Sequence, residues 1–174
     1  MRLKEVMDMR RYLLVLDMDL LALDEEHGLE PINYLVAKQE QEPCAVVVLS
    51  LVTNQPKMPI ELLAGAGIPK HPDLAHRPDD PMSVNAEHRM ERAVQHLKMI
   101  GCRASGIISY EDLVTAVRSE TRGHDYDEVI LATGRQEGSA LARIVGRDPV
   151  QQLRREWGKR LIEFPEVHDQ EPSS

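Results

Sequence analysis

Residues 134–147 hold the residue types best suited to meeting a phosphate. Gly134, Gly138 and Gly146 punctuate the stretch, and Arg147 follows the last of them. Glycine lets the main chain take positive φ and lets a ligand approach backbone amides closely, while a planar guanidinium grips phosphate oxygens in pairs. The same glycines serve equally well as plain turns. What precedes them supplies the direction: Asp127-Glu128, then Val129-Ile130-Leu131, then Thr133. A short apolar run with β-branched residues, bounded by acids on one side and Thr-Gly on the other, reads as a buried parallel strand. The chain therefore leaves the sheet at Gly134. A second run of this kind, Tyr12-Leu13-Leu14-Val15-Leu16, ends in Asp17-Met18-Asp19.

Other chemistry-bearing groups carry less. His71 and His76 lie with Asp73, Asp79 and Asp80 in a proline-rich stretch, and His88 and His96 stand on the polar side of one helix. Metal ligation needs a rigid frame, so these read as surface histidines. Asp24-Glu25-Glu26-His27 has adjacent rather than alternating carboxylates, unlike a calcium loop. There is no Gly-x-Ser-x-Gly elbow, and no Walker loop or dinucleotide fingerprint, because the glycines follow the fourth strand rather than the first. Asp17, Asp19 and Thr133 also resemble part of a phospho-acceptor receiver site. That chemistry needs a third aspartate after strand three and a lysine after strand five, where this chain has Ile108-Ser109-Tyr110 and Glu163-Phe164-Pro165.

The elements that must position these residues alternate. Strands are expected over 11–19, 44–52, 104–109, 128–133 and 160–164. Helices are expected over 30–40, with Pro31 in the first turn, over the stretch capped by Ser83 or Asn85 and closed by Gly101, and from the capping pair Ser109 and Asp112 to about Gly123. The last runs from the Asp148-Pro149 cap to Trp157, with Gly158 as its stop. Met90, Ala93, Val94, Leu97 and Ile100 give the second helix its apolar stripe. The order β-α-β-loop-α-β-α-β-loop-α-β predicts an α/β fold: an open, parallel, five-stranded, Rossmann-like sheet of order 3-2-1-4-5 with helices on both faces. In such sheets a ligand lies outside the carboxyl ends of the strands where the winding reverses, here strands one and four. The expectation is one domain over 11–165, a charged lead-in at 1–10, a long mobile loop at 53–82 and a disordered polar tail at 166–174.

Composition agrees with a globular α/β domain. The chain has 174 residues, 42% of them hydrophobic but only 3% aromatic, so the core must be built from aliphatic side chains. A net charge of −8 argues against general affinity for nucleic acid. Within 134–164, however, Arg135, Arg143, Arg147, Arg154, Arg155, Lys159 and Arg160 outnumber Glu137, Asp148, Glu156 and Glu163. That patch can draw in a small anion, or be a solvated helix face with Glu156 as a partner. No run approaches the roughly 20 apolar residues of a membrane span, and the acidic N-terminus is unlike a signal peptide, so the expected location is cytoplasmic. Trp157 reads as a packing anchor. Cys44 and Cys102 form no zinc or redox motif; they should lie at the same edge of the sheet, close together if their strands adjoin, as inert buried thiols.

The first strand ending in Asp17, the second of Val-Val-Leu-Ser-Leu-Val type, and the fourth running Asp-Glu-Val-Ile-Leu-Ala-Thr into a glycine loop resemble the universal stress protein family over about 11–165. The resemblance implies an adenine-nucleotide cleft, with ATP or another adenine nucleotide as ligand, made by Asp17, Leu51, Thr133, Gly134, Gly138, Gly146 and Arg147. Asp17 matches the family's adenosine-side aspartate and Leu51 its strand-two valine. The loop departs from the family pattern: three residues separate the first two glycines, seven the next two, and Arg147 replaces a phosphate-contacting hydroxyl. The resemblance further implies a non-enzymatic, stress-linked regulatory domain, homodimeric through the last strand with Leu161, Ile162 and Phe164 at or near the interface. Its alternative is a nucleotide-free homodimeric scaffold of the same fold.

Overall fold

The computed structural model describes residues 9–16, 30–52, 81–132 and 148–164. Among them, in chain order, are β1 (Arg10–Leu16), α1 (Glu30–Gln41), β2 (Cys44–Leu51), α2 (Pro81–Met99), β3 (Arg103–Ser109), α3 (Leu113–Gly123), β4 (Glu128–Ala132), α4 (Pro149–Trp157), a 3-10 turn (Gly158–Arg160) and β5 (Leu161–Phe164). The lead-in at 1–8, the loop at 53–80 and the tail at 166–174 lie outside the described residues.

The strands form one sheet of order β3-β2-β1-β4-β5, and every pairing is parallel. The α/β expectation and its strand order are thus met. β1 is the central strand because it can afford no solvent on either face: Tyr12 through Leu16 are all buried. Alternation divides the core in two. Tyr12, Leu14 and Leu16 face α1 and α2 with Ile32, Leu35, Ala93 and Leu97. Leu13 and Val15 face α3 and α4 with Val114, Val117 and Leu153. Both faces exclude water, which is why the strand reads as an unbroken apolar run rather than an alternating one.

Local chemistry sets the ends of elements, and in several places differs from expectation. β1 begins at Arg10, one residue inside the expected lead-in, because Arg10 is anchored by Asp127 and Glu42, each at 3.0 Å. α2 begins at Pro81, so 81–82 belong to it rather than to the loop. Ser83 and Asn85 lie inside its first turns instead of capping it; proline at the first helical position gives up an N–H that has no intrahelical acceptor there. α3 is capped by Asp112 alone. Its carboxylate accepts from the Thr115 N–H at 3.0 Å and from the Thr115 hydroxyl at 2.6 Å. Ser109 Oγ instead accepts from the Glu111 N–H at 3.2 Å, outside the helix.

α4 follows its sequence signals closely. Asp148 accepts from the Val150 N–H at 3.0 Å, and Pro149 is the first helical residue. Gly158 stops the helix at φ +55°, a conformation costly for any residue with a Cβ. The chain then makes the 3-10 turn, which delays β5 from 160 to Leu161. Gly106 in β3 has a different reason to be glycine: a Cβ there would collide with the Met90 side chain, so its absence lets α2 lie close on the sheet.

Candidate functional site at the carboxyl rim of the sheet

β1 pairs with β2 on one side and β4 on the other, in a register that sets Leu16 opposite both Ser50 and Ala132. These are the carboxyl ends of three neighbouring strands, and the crossovers leave β1 in opposite directions, toward β2 and β3 and toward β4 and β5. A crevice opens at such a reversal because no helix packs directly over it. Leu16 is followed in the chain by Asp17, and Ala132 by Thr133 and Gly134.

Of the sequence-predicted site residues, Leu51 is described. Asp17, Thr133, Gly134, Gly138, Gly146 and Arg147 lie outside the described residues. Leu51 ends β2 with its side chain buried in the α3 and α4 core, so it faces the rim through its backbone. Its carbonyl accepts a 2.8 Å hydrogen bond from Arg89 of α2. Val52 extends the same edge, its N–H donating to the Ser109 carbonyl at 2.8 Å.

Two polar groups at this rim were missed by sequence reasoning. Ser50 is fully buried, and its hydroxyl has no hydrogen-bond partner among the described residues. It shares a strand face with Val46 and Val48, the side on which α2 packs, and lies directly beside the end of β1. Burying an unpartnered hydroxyl costs roughly 1–3 kcal/mol, so such a group in a core asks for an explanation. The serine that interrupts the run Ala45–Val52 was the available signal. Arg89, half-buried beside Met90 of the apolar stripe, carries no sequence signal of its own.

The opposite, amino-terminal rim is built differently. An open depression of about 680 Å³ is lined there by Arg10, Lys38, Glu42, Asp127 and Glu128, among others. These charges satisfy one another. Arg10 bonds Asp127 and Glu42, Asp127 also accepts from the Arg11 N–H at 2.8 Å, and Glu128 accepts from the Tyr34 hydroxyl at 2.7 Å and from Lys38 at 3.2 Å. Burial, then the bond to Glu128, raises the Tyr34 pKa. Burial, opposed by the Lys38 charge and helped by that of Glu128, pushes Tyr12 up to about 12. The acidic pair Asp127-Glu128 at the start of β4 is thus a structural clamp on the amino ends of the strands.

The basic patch of the last third is partly neutralised as well. Arg154 bonds Glu163 through two nitrogens at 3.0 and 2.9 Å, and Arg118 of α3 pairs with Glu156, whose pKa it lowers. Trp157 packs on the α3 and α4 core with Arg160 over its ring at 4.7 Å, in keeping with an anchor role. His88 and His96 are exposed; His71 and His76, and Asp24 through His27, lie outside the described residues. Among the described residues no three His, Cys, Asp or Glu side chains gather closely enough to hold a metal ion, and no helix is long and apolar enough to cross a membrane.

The five-stranded parallel fold matches solved structures. A universal stress protein from Arabidopsis thaliana with AMP bound aligns at TM-score 0.54 and 12% identity, over 95% of this chain and 97% of that one. The fold is that of the universal stress proteins. One from Archaeoglobus fulgidus aligns at TM-score 0.53 and 11% identity, covering 92% of this chain and 96% of that one. An A. fulgidus structure in complex with dAMP aligns at 0.52 and 13%, covering 89% and 96%. No protein-family model matches the sequence, and no curated protein does. Identities this low carry the fold and leave function to the site.

Proposed function

We propose that this chain is a non-enzymatic regulatory domain that binds an adenine nucleotide at the carboxyl ends of β1 and β4. The observation that carries the reading is the register that sets the ends of β1, β2 and β4 side by side at the reversal of winding, with the buried Ser50 hydroxyl at the same rim. In this reading Asp17 meets the ribose or base, and Leu51 offers its backbone. Thr133 and the amides of Gly134, Gly138 and Gly146, with Arg147, meet the phosphates. A shorter span between the last two glycines favours a monophosphate or diphosphate over the fully wrapped triphosphate. The AMP and dAMP held by proteins of this fold support an adenine ligand.

The test is to release any small molecule carried by the purified protein for mass spectrometry, then to record melting with AMP, ADP and ATP. A ligand at a hundred times its Kd stabilises by about 2.7 kcal/mol, a shift of several degrees. Gly138→Glu puts bulk and negative charge where the phosphates sit; it should remove the shift and leave the apo melting temperature nearly unchanged. A shift that survives Gly138→Glu excludes the glycine loop as the phosphate site.

A nucleotide-free homodimeric scaffold is the second reading, favoured by the position of β5. It ends the sheet, so its outer backbone edge has no strand neighbour among the described residues, and Ile162 and Phe164 are only partly buried against the core. Pairing of two β5 edges would extend the sheet across a twofold axis. Sedimentation at micromolar concentration should return a dimer, and a monomer there would remove this assembly from either reading.

A further inference from the structure

We propose that Cys44 and Cys102 are a redox-modification site, at which a low-molecular-weight disulfide of the glutathione disulfide class converts the two thiols into an intramolecular disulfide. Both cysteines are free, with 2% and 5% of their surface exposed, and their sulfurs stand 3.2 Å apart. The backbone is already placed for the bond. Ala45 is opposite Arg103 in the parallel register, so one step back Cys44 faces Cys102 across neighbouring strands. Such strands run roughly 4.8 Å apart, inside the Cα separation of about 4.4–6.8 Å that a disulfide needs.

A dedicated clamp holds the two together. The Gln39 side chain accepts from the Cys44 N–H at 2.9 Å and donates to the Gly101 carbonyl at 3.3 Å. The Cys102 N–H is tied in turn to the Leu97 carbonyl at 3.0 Å. One glutamine thus spans the residues that start β2 and β3.

Access is one-sided. A groove of about 600 Å³ runs along this edge, lined by Cys102 but not Cys44, with Arg11, Lys98 and Arg103 on its walls beside Glu120 and His124. The three cations suit an anionic tripeptide disulfide. Cys102 gives up its proton and attacks one sulfur of the incoming disulfide; the S–S bond breaks, and the departing thiolate takes a proton and leaves as a thiol. Cys44, deprotonated in turn, attacks the Cys102 sulfur of the mixed disulfide and expels the second small thiol. Two protein thiols are oxidised by two electrons and one external disulfide is reduced to two thiols. Burial raises both thiol pKa values, Cys44 up to about 12, so the exchange is slow at neutral pH and the pair responds to sustained rather than momentary oxidation. The site lies at the amino-terminal edge of the sheet and stands apart from the nucleotide reading.

The experiment incubates the reduced, folded chain with glutathione disulfide, quenches it in acid, blocks free thiols with N-ethylmaleimide and weighs the product. The expected result is a loss of two hydrogens, a peptide linking residues 44 and 102, and a melting temperature raised by several degrees and restored by dithiothreitol. In Cys44→Ser the reaction should halt at a glutathione adduct on Cys102, while Cys102→Ser should take up glutathione at least tenfold more slowly. Two thiols still free in the folded protein, or a cross-link that forms only after denaturant is added, overturns the proposal. That outcome is read on the natural chain, so it does not depend on either variant folding.

Discussion

Single side chains set sharp terms in this structure. Asp112 caps α3 with both carboxylate oxygens, and the Thr115 hydroxyl, then its N–H, holds the Asp112 pKa below the usual carboxylate range. Asp112→Ala should cost about 1 kcal/mol, measured by urea unfolding at pH 7. A depressed folded-state pKa contributes stability that is present above the unfolded value, near 4, and fades as pH falls through the folded value. The difference between natural chain and variant should therefore shrink below about pH 4. Ser50 behaves in the opposite sense. Its hydroxyl has no partner among the described residues, and a hydroxyl buried without one costs the apo fold, so Ser50→Ala should stabilise the protein by on the order of 1 kcal/mol in thermal or urea melts. If the hydroxyl meets the ligand, the same variant should show a smaller nucleotide-induced shift. An alanine variant less stable than the natural chain would mean that the hydroxyl has a partner after all.

At the scale of elements, packing between α2 and the edge of the sheet is the most constrained contact. α2 crosses β2 and β3, and it reaches β3 at Gly106, where Met90 occupies the space a Cβ would need. Gly106→Ala must push Met90 off its position in the core, which should cost roughly 1–3 kcal/mol as overpacking. Coupling this change with Met90→Ala should recover part of that loss, because the shorter side chain vacates the space. Additive losses in the double variant would show that strand conformation, not the Met90 contact, demands glycine.

At the scale of the whole molecule, the two rims of the sheet have separate tasks. The amino rim is tied together by its own ion pairs, and the carboxyl rim carries the nucleotide reading. Glu128→Gln removes the charge that holds Lys38 and weakens the acceptor of the Tyr34 hydroxyl. It should lower stability by on the order of 1 kcal/mol while leaving the melting shift produced by AMP the same as in the natural chain. A changed shift would couple the two rims. Gly138→Glu is the converse, altering the response to nucleotide and not the stability of the apo domain.

The sequence alone determined the alternating strands and helices of a parallel α/β fold, because those signals are local, and the strand order expected from that alternation is the one observed. Unbroken apolar runs such as 12–16 demand cover on two faces, and Asp148-Pro149 with Gly158 closes α4 through bonds made within a turn. The neighbouring thiols followed from strand order as well. What only the tertiary structure decided were relations between distant residues. Arg89 reaches the Leu51 carbonyl across 38 positions, Arg10 reaches Asp127 across 117, and Gln39 bridges the two cysteine turns. Ser50 looked like one more strand residue until its neighbours on β1 and β3 were known. Side-chain partners depend on which faces meet, and periodicity fixes the face without naming what is packed against it.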